Sequence, residues 1–394
     1  MQYQLTKGWS VLQDVHEFGE HFGIFKHSFD PTRFGGDSSI QPLEPWEPID
    51  RLEHLQLTFA QNPYYGRELR TFNYAPWWYK NEFIVDDEYP YAVLQFTGVD
   101  YFADVWLNEE YLGFHEGYNT PFCFEVGRLL KRGEKNLLVV KVRAPWENDI
   151  LPGLEYIRFC TVIRDQMKDT FVPRDVNPIG IWDRVTLETY NGVRLREKAW
   201  VAPTLNGDYS QADVHLSYRL HSEQDATSVR AVMEITRFGD TEVVAREEKL
   251  LTLRNGKNLL EGCLTVENPR LWTVWERGEA NRYTAILRLF AGEECLLSER
   301  QHFGIRDVKL MRTPEETTFY LNGERLYLRG ATYFPDVYLS AVCRERYVRD
   351  IQNARAAGMN VLRVHVHAEK DDFYELCDEQ GILLMQDSDF NWVH

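Results

Sequence analysis

The sequence predicts a multidomain, mainly β protein: a jelly-roll β-sandwich, then an immunoglobulin-like β-sandwich, then the first part of a TIM (β/α)8 barrel. Two observations predict this order. Segments of strand length with alternating apolar and polar residues, separated by Gly and Pro, fill the chain before Leu326. From Leu326 onward, apolar runs alternate with stretches of helical periodicity, which is typical of parallel β/α units.

The jelly-roll sandwich is predicted for residues 1–190. Its strand-like segments include YAVLQFTGV, DYFADVWLNEEYLG and KNLLVVKV. In the second of these segments, Ala103, Val105 and Leu107 alternate with Asp104 and Trp106, so the two sets lie on opposite faces of a strand. This alternation indicates a sheet with one face in a core.

The immunoglobulin-like sandwich is predicted for residues 191–306. Four segments carry the strand pattern: DVHLSYRL, RAVMEITRF, KNLLEGCLTVE and RYTAILRLF. The length of this region is near that of one immunoglobulin-like domain, which favours a separate domain over an extension of the first.

The start of a TIM barrel is predicted for residues 307–394. LYLRGATYF, NVLRVHV and ILLMQ are three apolar runs of strand length. Between them, RERYVRDIQNARAAG predicts a helix that stops at Gly358, and DDFYELCDEQG predicts a helix opened by Asp371 or Asp372 and closed by Gly381. Because a complete barrel has eight such units in about 250 residues, this region predicts only the front of one.

Composition excludes several classes of partner. The net charge is −17, which argues against nucleic acid and anionic membranes because phosphate binding needs a basic patch. The six cysteines form no CxxC pair and indicate reduced thiols rather than a disulfide framework or zinc site. The N-terminus has no apolar leader and no stretch is long enough to span a bilayer, so we predict a cytoplasmic protein. Aromatic residues make up 14% of the chain, which fits strand packing and also stacking on sugars.

At this point the chain resembles a known family, glycoside hydrolase family 2. The likeness rests on several segments in the right order: APWWYKNEFIV, LQFTGVDYFADVWLNEEYLGFHEGYNTPFCFEV, IGIWDRVTLE, LWTVWERGEANRYTAILRL, FGIRDVKL, FYLNGERLYLRGATYFPD and AGMNVLRVHV. The resemblance implies a retaining β-glycosidase that acts on carbohydrate without a cofactor. It leaves a homo-oligomer open.

The chain departs from the family pattern in three places. Glu109 follows Asn108 where the family usually has Gly, and Thr332 stands where a barrel Asn is usual. The resemblance places the two catalytic glutamates at the ends of barrel strands four and seven, whereas only three barrel strands are predicted here. The pairs Asn81-Glu82 and Asn108-Glu109 fall in the sandwich and are poor substitutes. We therefore expect no catalytic residue in this chain and no activity of the chain alone.

A substrate-binding wall is predicted on the second barrel strand. In NVLRVHVH, Arg363, His365 and His367 alternate with Leu362 and Val364 and should point into the barrel, towards its C-terminal mouth. Arg363 would bind sugar hydroxyls or, alternatively, form a buried ion pair with a barrel carboxylate. The two histidines would donate to hydroxyls. A His-x-His metal site is the weaker alternative because no third ligand is evident, so no metal is predicted.

Acidic residues complete the predicted wall. Asp387 ends the third barrel strand in LMQDSDF, a segment that resembles the β-mannosidase and exo-β-glucosaminidase branch of the family. Asp387 and Asp389 share one face of that strand, where they either cap it and bind Arg groups or act chemically. Asp169 and Asp175 lie in RDQMKDTFVPRDVNPIG, which the resemblance places over the barrel mouth; a solvated loop is the alternative.

The functional prediction is hydrolysis of terminal β-glycosidic bonds, of β-mannoside or β-galactoside class, in the complete enzyme. Two alternatives stay open. One is a non-catalytic carbohydrate-binding protein that uses the jelly roll alone. The other is a fragment that needs a partner chain.

Overall fold

The computed structural model describes residues 1–30, 45–145, 175–365 and 367–387. In these residues antiparallel sheets dominate, and a short parallel sheet with two helices follows them. The predicted fold class of two sandwiches and a barrel start is confirmed. The domain limits at 190 and 306 stay predictions.

In its described residues, the first sandwich has twelve strands. They are β1 Gln2–Gln4, β2 Trp9–Gln13, β3 Glu47–Ile49, β4 Trp77–Ile84, β5 Tyr91–Phe96, β6 Val99–Asp100, β7 Phe102–Leu107, β8 Glu110–Glu116, β9 Phe122–Glu125, β10 Lys135–Arg143, β11 Gly180–Ile181 and β12 Val185–Tyr190. A sheet of order β1-β12-β5-β9 faces one of order β3-β2-β4-β10-β7-β8, with β6 paired to β11. Helices α1 Gly19–Phe22 and α2 Leu55–Phe59 and a 3-10 helix, Arg67–Asn73, lie in the connections.

The predicted alternation in β7 is confirmed, because Ala103, Val105 and Leu107 are fully buried in the sandwich core. The turn after β7 closes without glycine. Asn108 and Glu109 both adopt positive φ angles, 50° and 77°. The Asn108 side chain fixes this conformation by accepting from the Leu137 backbone N–H at 2.9 Å. Asparagine tolerates the left-handed region because its side chain bonds locally.

The second sandwich contains eight strands around its own core. They are β13 Val193–Leu195, β14 Trp200–Leu205, β15 Gln211–Ser222, β16 Thr227–Arg237, β17 Val243–Leu253, β18 Gly256–Glu267, β19 Tyr283–Ala291 and β20 Glu294–Phe303. One sheet holds β13, β14 and β18 around β15, and the other runs β17-β16-β19-β20. The four predicted segments fall on β15, β16, β18 and β19.

The last region begins with the antiparallel strands β21 Val308–Arg312, β22 Thr317–Leu321 and β23 Glu324–Leu326. Three parallel strands follow, β24 Gly330–Tyr333, β25 Val361–Val364 and β26 Leu383–Gln386, connected through α3 Arg344–Ala356 and α4 Asp371–Gln380. The predicted first barrel strand was too long, because Leu326 ends the hairpin and the parallel strand starts at Gly330. Helix α4 begins at Asp371 and is closed by Gly381, as predicted, with Lys370 at the N-cap position.

The parallel sheet has one covered and one open face. Leu362 and Val364 of β25 are buried beneath the two helices. Arg363 pairs in register with Thr332 of β24 and Met385 of β26, and all three are exposed. Side chains at paired positions share a face, so these three form the side that would become the barrel interior.

Both sandwiches hold the barrel region in place. On the jelly-roll side, the Tyr338 hydroxyl donates to the Pro63 carbonyl at 2.6 Å, and the Tyr64 hydroxyl donates to Asp336 at 3.1 Å. Tyr338 is fully buried within the jelly-roll core cluster.

Two indoles make the corresponding contacts from the second sandwich. Trp272 donates to the Asp378 carbonyl at 2.8 Å, and Trp275 donates to the Met359 carbonyl at 2.7 Å. The jelly roll therefore holds the loop after β24, and the second sandwich holds α4 and the amino end of β25. Among the described residues, no helix combines the length and the apolar character that crossing a membrane requires.

Candidate functional site

The candidate site lies at the carboxyl ends of β24, β25 and β26, where barrel enzymes carry their active sites. Arg363 of β25 and Asp387, directly after β26, meet there. Nε of Arg363 lies 3.1 Å from Oδ1 of Asp387, and Nη2 lies 2.6 Å from Oδ2. This two-point pairing raises the pKa of Arg363 through the hydrogen bond and the charge of Asp387.

The pair is accessible rather than buried. The side chains are 48% exposed for Arg363 and 22% exposed for Asp387. A guanidinium has five N–H donors, so the pairing leaves donors for a ligand oxygen. The structure brings together two residues of the predicted wall. The ion pair with a barrel carboxylate, which was the predicted alternative for Arg363, is present but is accessible and not buried.

His367 lies elsewhere than predicted. β25 ends at Val364, so the alternation that was expected to carry His367 to the open face does not continue. The imidazole is buried beside α3, where Nε2 lies 2.5 Å from Oε1 of Glu369. Tyr347 of α3 donates to Oε2 of the same carboxyl at 2.5 Å. Burial and then the charge of Glu369 raise the pKa of Tyr347.

The other ring nitrogen of His367 fixes its tautomer. Nδ1 lies 2.8 Å from the backbone oxygen of His365. Because a carbonyl oxygen only accepts, Nδ1 must carry a proton. Both ring nitrogens are therefore engaged, and the His-x-His metal alternative has no ligand atom left on His367. The His365 side chain is half-buried.

Gln386 joins the ends of β25 and β26. Its side-chain N–H groups donate to the backbone oxygens of His367 and Asp387, each at 2.7 Å. Its Oε1 accepts from the Tyr374 hydroxyl of α4 at 2.8 Å. The loop that carries His367 and the residue that pairs with Arg363 are thus connected through one amide.

Among the described residues, Asp175 pairs with a residue of the jelly roll. Its Oδ1 accepts from Nε of Arg70 at 2.6 Å, and its side chain is 21% exposed. Two residues later, the Asn177 side chain donates to the Ala144 carbonyl at 2.9 Å and secures this segment to the sandwich. Asp169 and Asp389, also proposed from the sequence, lie outside the described residues.

Sequence reasoning missed a buried contact that holds the loop after β24. Nδ1 of His54 lies 2.6 Å from Oγ of Ser340, and Nε2 lies 3.1 Å from Oδ2 of Asp100. His54 and Asp100 are fully buried, and the imidazole stacks on Trp182 at 6.0 Å between ring centroids. Because protein partners engage both ring nitrogens of His54, this Ser-His-Asp set positions the loop. No local motif could have revealed it, because its members are far apart in sequence.

The jelly roll also supports the loop after β25. The Ala368 backbone N–H donates to the Tyr118 hydroxyl at 3.3 Å. Lys370 donates to the Val342 carbonyl at 3.1 Å, and its ammonium lies 5.8 Å from the Trp182 ring centroid. Burial lowers the pKa of this lysine. Two of the three barrel loops in the site are therefore backed by the first sandwich.

One further cluster has metal-ligating residue types, Glu125, His221 and Glu223. It lies between the two sandwiches. Arg194 approaches Glu125 to 3.6 Å, and the Tyr190 hydroxyl donates to Glu223 at 2.5 Å. Since the Arg194 guanidinium already supplies the positive charge that a metal ion would provide, we interpret the cluster as an ion-pair network between domains.

The domain order defines a class of multidomain barrel proteins. It consists of a jelly roll, an immunoglobulin-like sandwich and parallel β/α units, and the carboxyl edge of those units carries charged and hydrogen-bonding groups. Three family models match this chain in the same order. They are glycosyl hydrolase 2 galactose-binding domain-like at 51–152, glycosyl hydrolases family 2 at 193–306, and glycosyl hydrolases family 2, TIM barrel domain, at 314–393. The chain belongs to glycoside hydrolase family 2.

Individual proteins share this likeness at low identity. β-Mannosidase B of Neosartorya fischeri is 29% identical over 98% of this chain, and an exo-β-D-glucosaminidase of Amycolatopsis orientalis is 24% identical over 87% of it. The chain spans 45% and 33% of these two relatives. The crystal structure of a β-D-mannosidase from Dictyoglomus thermophilum matches 98% of this chain with a TM-score of 0.78 at 24% identity, over 47% of its own length. At that identity the match supports the fold.

Proposed function

We propose that the full-length protein hydrolyses terminal β-glycosidic bonds with retention of configuration, and that this chain forms part of its sugar-binding wall. The observation that carries the proposal is the Arg363–Asp387 pair. It places an oriented, accessible guanidinium at the carboxyl edge of a parallel sheet in a family 2 chain.

The chemistry follows from the family mechanism. A retaining glycosidase needs two carboxyl groups about 5–5.5 Å apart, one as acid/base and one as nucleophile. The nucleophile displaces the leaving group, which the acid protonates, and water then releases the sugar with the same residue acting as base. The family likeness assigns these carboxyls to barrel strands four and seven. The described parallel sheet comprises strands one to three, so its residues act in binding.

Each residue of the wall takes a different role. Arg363 donates to sugar hydroxyls, and Asp387 holds the guanidinium plane and accepts from a hydroxyl. His365, half-buried and two residues after Arg363, is a further donor. His367 positions this loop through its buried contact with Glu369. Asp175 remains a candidate contact from the jelly-roll side, since part of its carboxylate is accessible beside Arg70.

The identity of the preferred sugar is inferred from the sequence around the third barrel strand. The segment LMQDSDF resembles the β-mannosidase and exo-β-glucosaminidase branch, and relatives with both names match most of this chain. A β-mannoside is therefore the first choice and a β-galactoside the second. The names of the relatives differ in sugar, so the preference rests on the resemblance of this segment.

The test compares full-length protein with residues 1–394 on nitrophenyl β-mannoside and β-galactoside. We expect the full-length protein to release nitrophenol with retention and the isolated chain to release none. Turnover by the isolated chain that Asp387→Asn abolishes would show that this chain is itself catalytic. A full-length protein that binds sugars but cleaves no aryl β-glycoside would favour the carbohydrate-binding alternative.

If the isolated chain becomes active only after mixing with a second polypeptide, the fragment alternative holds. Gel filtration of the mixture, compared with each component alone, shows whether the two polypeptides associate. The same experiment shows whether residues 1–394 associate with themselves.

A further inference from the structure

A cleft of about 580 Å³ lies where the two sandwiches and the barrel region meet. Its walls come from β1, β5 and β12 of the jelly roll, from β15 and β20 of the second sandwich, and from α4. The volume falls in the range of small-molecule sites in proteins. Helix α4 separates this cleft from the Arg363–Asp387 pair, because the cleft contacts α4 side chains while that pair lies on the open face of the sheet.

The jelly-roll wall of the cleft contains a row of neutral hydrogen-bonding groups. In the antiparallel register Gln4 of β1 faces Thr186 of β12, and Thr186 faces Gln95 of β5. All three line the cleft. Paired positions share a face, so two amides flank one hydroxyl across three adjacent strands. Each amide both donates and accepts.

The opposite wall contains a polar group with no protein partner. Tyr218 of β15 is 1% exposed, and its hydroxyl has no hydrogen-bond partner among the described residues. Buried hydroxyls are normally paired, so an unpaired one at a cleft wall indicates a ligand or solvent contact. Gln301 and Glu299 of β20 and Glu188 of β12 also line the cleft.

Charges around the cleft largely neutralise one another. Lys198 lies 2.9 Å from Asp371, and Arg282 lies 3.3 Å from Glu379. These pairs connect the second sandwich to α4. Carboxylates outnumber basic groups among the lining residues, so the cleft offers an anionic ligand little net positive charge.

We propose that this cleft binds a neutral polyhydroxylated small molecule, such as a mono- or disaccharide. Amides and the Tyr218 hydroxyl donate to ring and hydroxyl oxygens, and Glu188 and Glu299 accept from hydroxyls. A single hydrated cation would need only a fraction of this volume, which favours the larger ligand. The proposal concerns a different site from the barrel edge and does not rest on the proposed hydrolase function.

The test is calorimetric titration of residues 1–394 with methyl β-mannoside, methyl β-galactoside and glycerol. We expect one site with a Kd on the order of 1 mM for at least one glycoside. Tyr218→Phe should raise that Kd about three- to tenfold because it deletes one neutral hydrogen bond. Its melting temperature should not fall, since the ring stays and no protein hydrogen bond is lost.

Two further variants make the assignment specific. Gln95→Ala, on the opposite wall, should weaken binding to a similar degree. Ser298→Ala, on an exposed position of β20 outside the cleft lining, is the control and should leave it unchanged. Binding that Arg363→Ala abolishes and Tyr218→Phe does not affect would overturn the proposal and place the sugar at the barrel edge.

Two other outcomes also refute it. One is the absence of binding by any of the three probes. The other is calcium binding that Glu299→Gln abolishes in a chain that binds no glycoside, which would make the cleft a cation site. Neither result bears on aryl glycoside hydrolysis by the full-length protein, so failure of this inference and failure of the proposed function are distinguishable.

Discussion

Arg363 of β25 and Asp387, directly after β26, form a two-point ion pair with N–O distances of 3.1 and 2.6 Å. The pair is accessible, with the guanidinium side chain 48% exposed. Exposed ion pairs contribute little to folding stability, about 0–1 kcal/mol. Its two-point geometry nevertheless fixes the guanidinium plane, which is what recognition of a sugar hydroxyl requires.

The first prediction concerns Arg363→Ala in the full-length protein. We expect kcat/KM on the preferred nitrophenyl glycoside to fall about a hundredfold or more, because charged hydrogen bonds worth a few kcal/mol are lost from the transition state. The melting temperature should change little, because Asp387 is left partly exposed and not stranded in a core.

Arg363→Lys is the matched control for this prediction. It keeps the charge but cannot make the two-point contact with Asp387, so it should recover only part of the activity. A large drop in melting temperature with near-normal activity of the folded fraction would favour a structural role for Arg363.

The second prediction concerns the buried cluster of His367, Glu369 and Tyr347. His367→Ala should lower the free energy of unfolding of residues 1–394 by about 3 kcal/mol, because it leaves a buried carboxyl without its nearest partner. Tyr347→Phe removes one hydrogen bond to the same carboxyl and should cost about 1–2 kcal/mol. Urea unfolding monitored by tryptophan fluorescence measures both.

One other result would assign His367 a role in substrate binding. If His367→Ala leaves the urea midpoint unchanged and instead weakens glycoside binding, the imidazole does not serve the positioning role that its burial indicates. Glu369→Gln separates charge from shape, since it keeps the size of the side chain.

The order of elements was predictable because it depends on local patterns. Alternation places Arg363 opposite Leu362 and Val364, and this holds because one face of β25 packs on helices and the other does not. The same rule failed at His367, since it applies only while the backbone stays extended and β25 ends at Val364. Sequence periodicity does not mark that end sharply, because apolar residues continue past it.

Contacts between domains were beyond sequence reasoning. Trp272 and Trp275 lie in a segment that resembles the family. The structure shows in addition that their indole N–H groups donate to backbone carbonyls of the barrel region at 2.8 and 2.7 Å. His54 and Ser340 are separated by 286 positions, and neither lies in a motif. Such pairs are set by how whole domains pack, which no local pattern encodes.

The third prediction addresses the stability of the barrel region. Every residue of β21 is exposed, with Leu310 at 55% and Met311 at 57%, and the parallel sheet has one open face. We expect limited proteolysis of this region to begin between 306 and 321 and to release it from the two sandwiches. Mass spectrometry of the products identifies the cut.

Ser340→Ala should accelerate that release, because it removes the hydroxyl that meets His54 at the jelly-roll interface. Ser298→Ala, on an exposed position of β20, is the matched control and should not change the rate. Uniform hydrogen-exchange protection from 307 to 387 would contradict the prediction and would point to a partner, such as a second copy of the chain, covering the open face.

The last prediction is a pH dependence at the three-domain cleft. Burial, and then the charge of Glu188, raise the pKa of Glu299 above its ordinary value of 4.5. The folded state therefore keeps this proton to higher pH than the unfolded chain does. The resulting stability is fully present below pH 4.5 and is lost as the pH rises through the folded-state pKa.

Glu299→Gln cannot ionise, so the variant should melt about 2 °C above the parent at pH 7 and at the same temperature at pH 4. Glu293→Gln makes the same charge change at an exposed position and should show no such pH-dependent difference. If both variants shift the melting temperature equally at the two pH values, the cleft does not penalise a charged Glu299.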